Sequence, residues 1–334
     1  MKTEFNPIRS APAMKAVFFN PGPQGGVVEL GDAPKPETGP DDVLIRVKAT
    51  ALNRGELVRR RGMTTGAPMI SGAELAGEVV ETGANVQGFT TGDRVMGQAR
   101  GCNAEYAVAH HGLLTLVPDH LDWVQAASLP NVLVTAHDAL ITNGGMQAGE
   151  SVLVNAGSSG IGIASIQIAK AMGAGTVIAT SRHGDKLPAL TALGADHVVD
   201  LSAESLEDAV AGATEEGVNL IIDSVGASDF AANMECLAIQ GRLIGVGRLG
   251  GAMAEIDLNK IAFKRIRIIG VTFRTRSAAE KIACARACFS DLAGPLRDGA
   301  IKPVVDQVFP LEELDAAHRY MESNAQTGKI GITL

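Results

Sequence analysis

From Met14 to about Val117, apolar residues fall in short runs rich in β-branched side chains, broken by Gly-Pro, Thr-Gly and Gly-Ala steps. The runs Lys15–Phe19, Val43–Ala49, Leu75–Glu81, Asp93–Met96 and Glu105–Ala109 predict strands, so this stretch reads as a β-rich module. After Trp123 the spacing changes, and Val124–Ala127 and Val132–Ile141 take on a helical texture. Beyond them strands are expected at Ser151–Asn155, Thr176–Thr180, His197–Val199, Asn219–Asp223, Arg242–Val246 and Ile266–Val271. Helices Gly160–Met172, Asp185–Leu193, Ser205–Val210 and Ala227–Leu237 lie between them. Strands separated by crossover helices predict a parallel sheet, and the fold class is α/β. Past Thr272 come a helix at Ala278–Leu292, an extended run at Lys302–Phe309, a helix at Leu311–Asn324 and a last strand at Lys329–Leu334. That strand has no sheet neighbour of its own and is expected to return to the first module.

The chain has 334 residues, more than a single core usually serves, so two domains are expected. The expected division is an irregular extension over 1–13, a β-rich domain over 14–130, a nucleotide-binding domain over 131–272, and a returning part of the β-rich domain over 273–334. The cleft between the domains is the default place for an active site. A net charge of -8 gives no basic field for phosphate backbones or anionic lipid, which disfavours nucleic-acid and membrane-surface roles. The run Arg59-Arg60-Arg61, beside Glu56, is expected to be a solvated face. No run of 18 apolar residues and no secretory h-region occur, and the four scattered cysteines read as reduced thiols, so a cytoplasmic location is expected.

The most informative stretch is Val152-Leu-Val-Asn-Ala-Gly157-Ser158-Ser159-Gly160-Ile161-Gly162, an apolar strand running into a glycine-rich turn that opens a helix. Glycines let the backbone approach a pyrophosphate, which the exposed amides and the helix N-terminus stabilise. The spacing is G-x-x-G-x-G rather than the commoner G-x-G-x-x-G, but the turn heads a series of further strand–helix units, and dinucleotide binding is expected. Cofactor choice rests on the end of the second strand, where an acid would receive the NAD ribose hydroxyls. Here the residues are Thr180-Ser181-Arg182-His183, and Arg182 with Lys186 can meet a 2′-phosphate, so NADP(H) is expected. The turn also looks like that of short-chain dehydrogenases. Their chemistry needs Tyr-x3-Lys, however, and Tyr106 and Tyr320 are followed at the fourth position by His110 and Asn324.

With the turn placed, further motifs become readable: Met14-Lys-Ala-Val, Leu52-Asn53-Arg54-Gly-Glu-Leu, Gly72-Ala-Glu74-Leu-Ala-Gly77, Gly92-Asp-Arg-Val95, Ala104-Glu-Tyr106, Val134-Thr135-Ala136 and Gly194-Ala-Asp-His197. Together, and in this order from Met14 to Leu334, they resemble the medium-chain dehydrogenase/reductase superfamily, and within it the quinone oxidoreductase branch. The resemblance implies a GroES-like catalytic domain with an inserted Rossmann domain, and a homodimer formed through the Rossmann sheet edge. It places Thr135 beside the nicotinamide and Asn53 near the substrate. Ser181, Ser224, Gly247, Phe273, Arg274 and Lys329 join the turn residues as implied cofactor contacts, with Arg276 in the same loop as Arg274.

The zinc-dependent members carry a catalytic Cys where this chain has Asn53 and a catalytic His where it has Ala73, and no C-x2-C spacing supplies a structural zinc lobe. No metal is expected. His110-His111, expected on opposite faces of a strand, and the helical pair Cys284 and Cys288 are read as structural. Without a Lewis acid the acceptor should take hydride readily, as quinones and small α,β-unsaturated carbonyls do. Asn53 is expected to orient the carbonyl oxygen, with the proton coming from water. Two departures from the branch stand out: Met63-Thr64-Thr65 follows Arg61-Gly62 where several members have a Tyr, and Leu201 follows Asp200 where others have a Tyr over the cofactor phosphate. An enoyl-thioester reductase and a non-catalytic NADPH-binding protein remain as alternatives.

Overall fold

A computed structural model of the chain describes residues 13–334. Of the extension expected over 1–13, only Ala13 is among them, and it opens the first strand; the rest lies outside the described residues. In chain order the first elements are β1 (Ala13–Asn20), β2 (Val27–Pro34), β3 (Asp42–Ala51), α1 (Arg54–Arg61), β4 (Met69–Ile70), β5 (Glu74–Thr82), β6 (Arg94–Gln98), β7 (Tyr106–His110), β8 (Leu114–Leu116), α2 (Trp123–Ala127) and α3 (Pro130–His137). The alternating part follows as β9 (Ser151–Val154), α4 (Gly160–Ala171), β10 (Thr176–Ser181), α5 (Leu187–Ala192), β11 (His197–Asp200), α6 (Leu206–Ala213), β12 (Val218–Asp223), α7 (Phe230–Cys236), β13 (Leu237–Gly245), α8 (Leu258–Lys264) and β14 (Arg267–Gly270). The chain then runs through α9 (Ala278–Asp291), α10 (Ala293–Arg297), β15 (Val305–Pro310), α11 (Leu314–Glu322) and β16 (Lys329–Thr333). Among the described residues no helix is long and apolar enough to cross a membrane.

The described residues divide into two compact units, and the first joins 13–128 to 307–324 and 330–334. Its larger sheet has the order β15-β16-β3-β5-β6-β8, with β7 also on β3, and a three-stranded sheet β2-β1-β4 accompanies it. The returning strand β16 pairs antiparallel with β3, Gly331 opposite Ala51 and Thr333 opposite Ala49. What draws it there is burial: Ile330 and Ile332 are 1% and 0% exposed and join Phe19, Leu52 and Leu57 in one apolar cluster. The stripe Leu314, Ala317, His318 and Met321 faces α11 into the same cluster at helical spacing. A second cluster gathers around Val43 and Ile45 of β3, Leu75 of β5 and Val95 of β6.

The second unit comprises residues 129–306 and 325–329. Its six parallel strands have the order β11-β10-β9-β12-β13-β14, which counted from β9 is the 3-2-1-4-5-6 order of a doubly wound nucleotide-binding sheet. Val152, Leu153, Val154 and Leu220, Ile221, Ile222 are all 0% exposed, as strands covered on both faces require. The chain reverses its winding direction between β9 and β12, and the strands' carboxyl ends there form the crevice where such sheets bind ligands.

Candidate functional site

The glycine-rich turn leaves the carboxyl end of β9. Ala156 takes a left-handed φ of 53°, a conformation that disfavours a residue with a Cβ, and Gly157 N–H then donates to Thr180 O at 2.8 Å. Ser159 caps α4, its hydroxyl accepting from Gly162 N–H at 3.0 Å. Gly162 is obligatory in this geometry, since a Cβ there would lie 2.4 Å from Ala156 O and 2.6 Å from Gly157 O. Gly160 faces side chains instead, with a Cβ placed 2.9 Å from Lys329 Cδ and 3.2 Å from Val132 Cγ1. Lys329, 6% exposed, thus reaches the turn, held by a bridge between Ser159 and Gly328 and by Gly328 N–H donating to Ser158 O at 2.8 Å. The turn residues Gly157 to Gly162 and Lys329 are therefore in one place. Val132, one helical turn before Thr135 on α3, packs on the turn at Gly160.

At the tip of β10 the Ser181 hydroxyl accepts from His183 N–H at 3.1 Å and turns the chain, leaving Arg182 exposed. Lys186 is placed differently from its expected role: its ammonium donates at 2.9 Å to the carbonyls of Ala325 and Gln326, anchoring the segment that carries Lys329. Asp200 stands opposite Ser181 on β11, and a Cβ on Gly184 would lie 2.6 Å from its Oδ2. Its carboxylate accepts from Ser202 N–H and Oγ at 2.9 and 2.6 Å, bonds that lower its pKa.

The carboxyl ends of β12, β13 and β14 complete the crevice. Ser224 is buried and its hydroxyl oxygen lacks a protein partner, which suits a bound polar group. Gly247 packs so closely on it that a Cβ would lie 2.4 Å from Ser224 O. The neighbour that shapes this corner, Asp223, did not stand out in sequence. Its carboxylate accepts from Val225 N–H at 2.8 Å and Gly226 N–H at 2.9 Å, and burial raises its pKa. A lone acid ending an apolar strand was the available signal. Phe273 and Arg274 follow β14, Arg274 exposed.

In the first unit, Asn53 is the N-cap of α1, and its side chain is directed inward. Nδ2 donates to Glu74 Oε1 at 2.8 Å and to Ala51 O at 3.3 Å, which occupies both amide hydrogens. Orienting a substrate carbonyl, as the sequence suggested, would require this amide to release Glu74. Glu74 is 0% exposed, and Glu56 Oε1 accepts from Asn53 N–H at 3.0 Å. Cys102 donates to Glu74 O at 3.1 Å, and burial, followed by the charges of Glu56 and Glu74, pushes its thiol well up, so it is no thiolate ligand or nucleophile.

Three sequence expectations need correction or refinement. His110 and His111 do not point apart, because β7 ends at His110 and the chain turns; the rings stack at 4.8 Å between centroids. Arg59 and Arg61 are exposed, but Arg60 is not part of a solvated face: it donates to Gly26 O at 2.9 Å and pairs with Asp315 at 2.6 Å. In the Arg274–Arg276 loop, Arg276 turns inward to Asp138 at 2.7 Å. Among the described residues no group of three or more His, Cys, Asp or Glu is arranged to hold a metal ion.

Residues 39–119 match the family described as alcohol dehydrogenase GroES-like domain, and residues 160–287 the family described as zinc-binding dehydrogenase. The chain is 30% identical to quinone oxidoreductase-like protein 2 of Bos taurus, over 88% of this chain and 86% of that one. It is also 30% identical to the acryloyl-coenzyme A reductase of Sulfurisphaera tokodaii, over 95% and 99% respectively. A mycobacterial protein solved in complex with NADPH superposes with a TM-score of 0.81 at 28% identity, covering 96% of this chain and 100% of that one. The chain belongs to the medium-chain dehydrogenase/reductase superfamily, in its quinone oxidoreductase branch. It is an oxidoreductase of that superfamily, with the GroES-like and Rossmann-type domains that define it.

Proposed function

We propose that this protein is an NADPH-dependent reductase that passes hydride to quinones or small α,β-unsaturated carbonyls without zinc. The carrying observation is the Gly157–Gly162 turn at the sheet's switch point, beside a β10 tip that presents Arg182 and no carboxylate of its own. Bound nicotinamide would supply the hydride. The chain's residues would hold the dinucleotide: the turn amides at the pyrophosphate, Arg182 at the 2′-phosphate, and Thr135, Ser224, Gly247 and Lys329 along the crevice. Independence from zinc rests on the donor set, since Asn53 and Ala73 replace ligands and the Asn53 amide is engaged by Glu74. Without a Lewis acid, hydride needs an acceptor that is already activated, and the names of the two relatives are of that kind. Acryloyl-coenzyme A reductase also keeps the enoyl-thioester alternative in the substrate panel.

A rival reading, NAD(H), draws on Asp200, whose carboxylate could face a ribose diol if Ser202 released it. Steady-state oxidation of NADPH and NADH with quinones, enones and enoyl thioesters tests the proposal. NADPH should be preferred, and Arg182→Ala should lower that preference about 10- to 100-fold, the range of one or two charge-assisted hydrogen bonds. Background rates with every acceptor would remove the reductase reading. An unchanged cofactor ratio in the variant would remove Arg182 from the phosphate site.

We also infer a homodimer through β14, the outer strand of the parallel sheet. Around it Phe263, Leu258, Ile256 and Ile268 are 83%, 73%, 50% and 43% exposed, an apolar surface beside an open strand edge that would otherwise invite aggregation. Sedimentation should give a dimer for the protein and a monomer for Phe263→Asp/Ile268→Lys; a wild-type monomer at micromolar concentration would contradict it. A cytoplasmic location is supported by four buried, free cysteines, which suit a reducing compartment.

A further inference from the structure

Asp138 is 1% exposed, in a π-helical continuation, Asp138–Asn143, of the helix that carries Thr135. A carboxylate so buried must be paired, and Arg276 Nη2 meets its Oδ2 at 2.7 Å. The same guanidinium gathers the loop around it. Nε donates to Thr272 O at 3.3 Å, Nη1 donates to Cys284 Sγ on α9, and the carbon centre lies 4.7 Å from the centroid of the Phe273 ring. Cys284 Sγ donates in turn to Asp138 Oδ1 at 3.5 Å. Arg276 therefore ties the loop backbone, one loop side chain, α9 and the Thr135 helix into a single knot, while Arg274 two residues earlier stays exposed. A buried ion pair is a poor source of stability compared with packed apolar groups, and in some proteins its use is to fix a unique arrangement.

We propose that Asp138 and Arg276 are positioning residues for the dinucleotide: their buried pair holds loop 272–276 in the shape that presents Phe273 and Arg274 to the cofactor. This rests on the dinucleotide reading above. Neither residue touches the cofactor in this account. They act by ordering the loop before binding, so that its immobilisation is not charged against affinity.

The test is a double-mutant cycle on the full chain with Asp138→Asn, Arg276→Met and both together, read by NADPH titration, thermal midpoint and hydrogen exchange of amides 272–277 in nucleotide-free protein. His137→Gln is the control, because it breaks a second tether from the same helix, His137 Nε2 to Asp291 Oδ2 at 2.8 Å, without touching the loop. Each single variant should raise the NADPH Kd about tenfold, roughly the effect of leaving two side chains to be ordered on binding. The double variant should be no worse than a single, as expected for residues that act as a unit. Exchange at 272–277 should quicken in all three, whereas His137→Gln should lower the midpoint and leave Kd within twofold. Additive effects on Kd, unchanged Kd in folded single variants, or an equal loss in His137→Gln would overturn the proposal. Failure of the wild type to bind NADPH would instead defeat the site reading, and the exchange comparison would still judge the knot.

Discussion

Gly162→Ala is expected to weaken dinucleotide binding by roughly 100-fold, near the upper end of what overpacking costs, while Gly160→Ala costs far less. The difference comes from what each new methyl group meets. At Gly162 the nearest atoms are Ala156 O at 2.4 Å, Gly157 O at 2.6 Å and Gly157 Cα at 2.7 Å, all backbone of the turn itself. The methyl group fits only if the turn opens, and the turn is what aims the amides at the pyrophosphate. At Gly160 the obstacles are Lys329 Cδ and Val132 Cγ1, ends of side chains that can shift. Gly157→Ala should fall between, with Leu190 Cδ1 at 3.0 Å and Thr180 O at 3.3 Å. Calorimetric titration of NADPH into the three variants, with thermal midpoints to confirm folding, would show the ranking. Equal losses at 160 and 162 would mean that turn geometry does not control binding.

The second large effect is loss of stability on acidification through His318. The ring is 0% exposed, tilted against Phe19 at 5.6 Å, and Nδ1 accepts from Arg60 Nη1 at 3.2 Å, so the proton sits on Nε2, which has no partner. Burial first, and the Arg60 charge second, hold it neutral with a pKa of about 4; Asp315 and Glu322 oppose this, and Arg319 pairs with Asp315. The folded pKa lies below the unfolded value of about 6.5, so the unfolded chain takes up its proton first as pH falls. The contribution is intact above about pH 6.5 and is lost as pH falls to about 4, by up to about 3 kcal/mol. His318→Gln keeps an acceptor for Arg60 and has nothing to protonate. Urea unfolding at pH 7, 5.5 and 4.5 should give a steeper decline for the wild type than for the variant, and parallel curves would exclude His318 as the cause.

Much of the second unit could be read in advance because its strands are buried on both faces. Runs such as Val152–Val154 and Leu220–Ile222, alternating with helical segments, read as a covered parallel sheet, and the strand expected at 329–334 returns to the first module as expected, where it pairs with β3. Elements without a buried stripe were missed. In α1 only Glu56 and Leu57 are buried, and its last turn is three arginines; α8 has no buried residue; and β2 is largely exposed. The phosphate turn was legible because its residues are consecutive. The pairings that shape its surroundings join residues far apart in sequence, as Asp138 joins Arg276 and Arg60 joins His318, and single-residue chemistry gives no hint of them. For the same reason Lys186 looked like a phosphate ligand, when its ammonium serves carbonyls 139 and 140 positions away.

The return of the chain after α11 has a consequence for vectorial synthesis. The strands of the parallel sheet, β9 to β14, are contiguous in sequence and can pair as soon as they leave the ribosome, whereas β3 waits for β16, nearly three hundred residues later. The same late segment pins Ser158 and Ser159 through Gly328 before it enters the older sheet. At ribosomal rates of about 5–20 residues per second, the first unit therefore spends on the order of 15–60 seconds with the Ala49–Ala51 end of β3 unpaired, beyond the part of that edge that β7 covers. Closing that edge and fixing the phosphate turn fall to one late segment, so a nascent chain would gain its nucleotide grip only when its larger first-unit sheet stops being sticky.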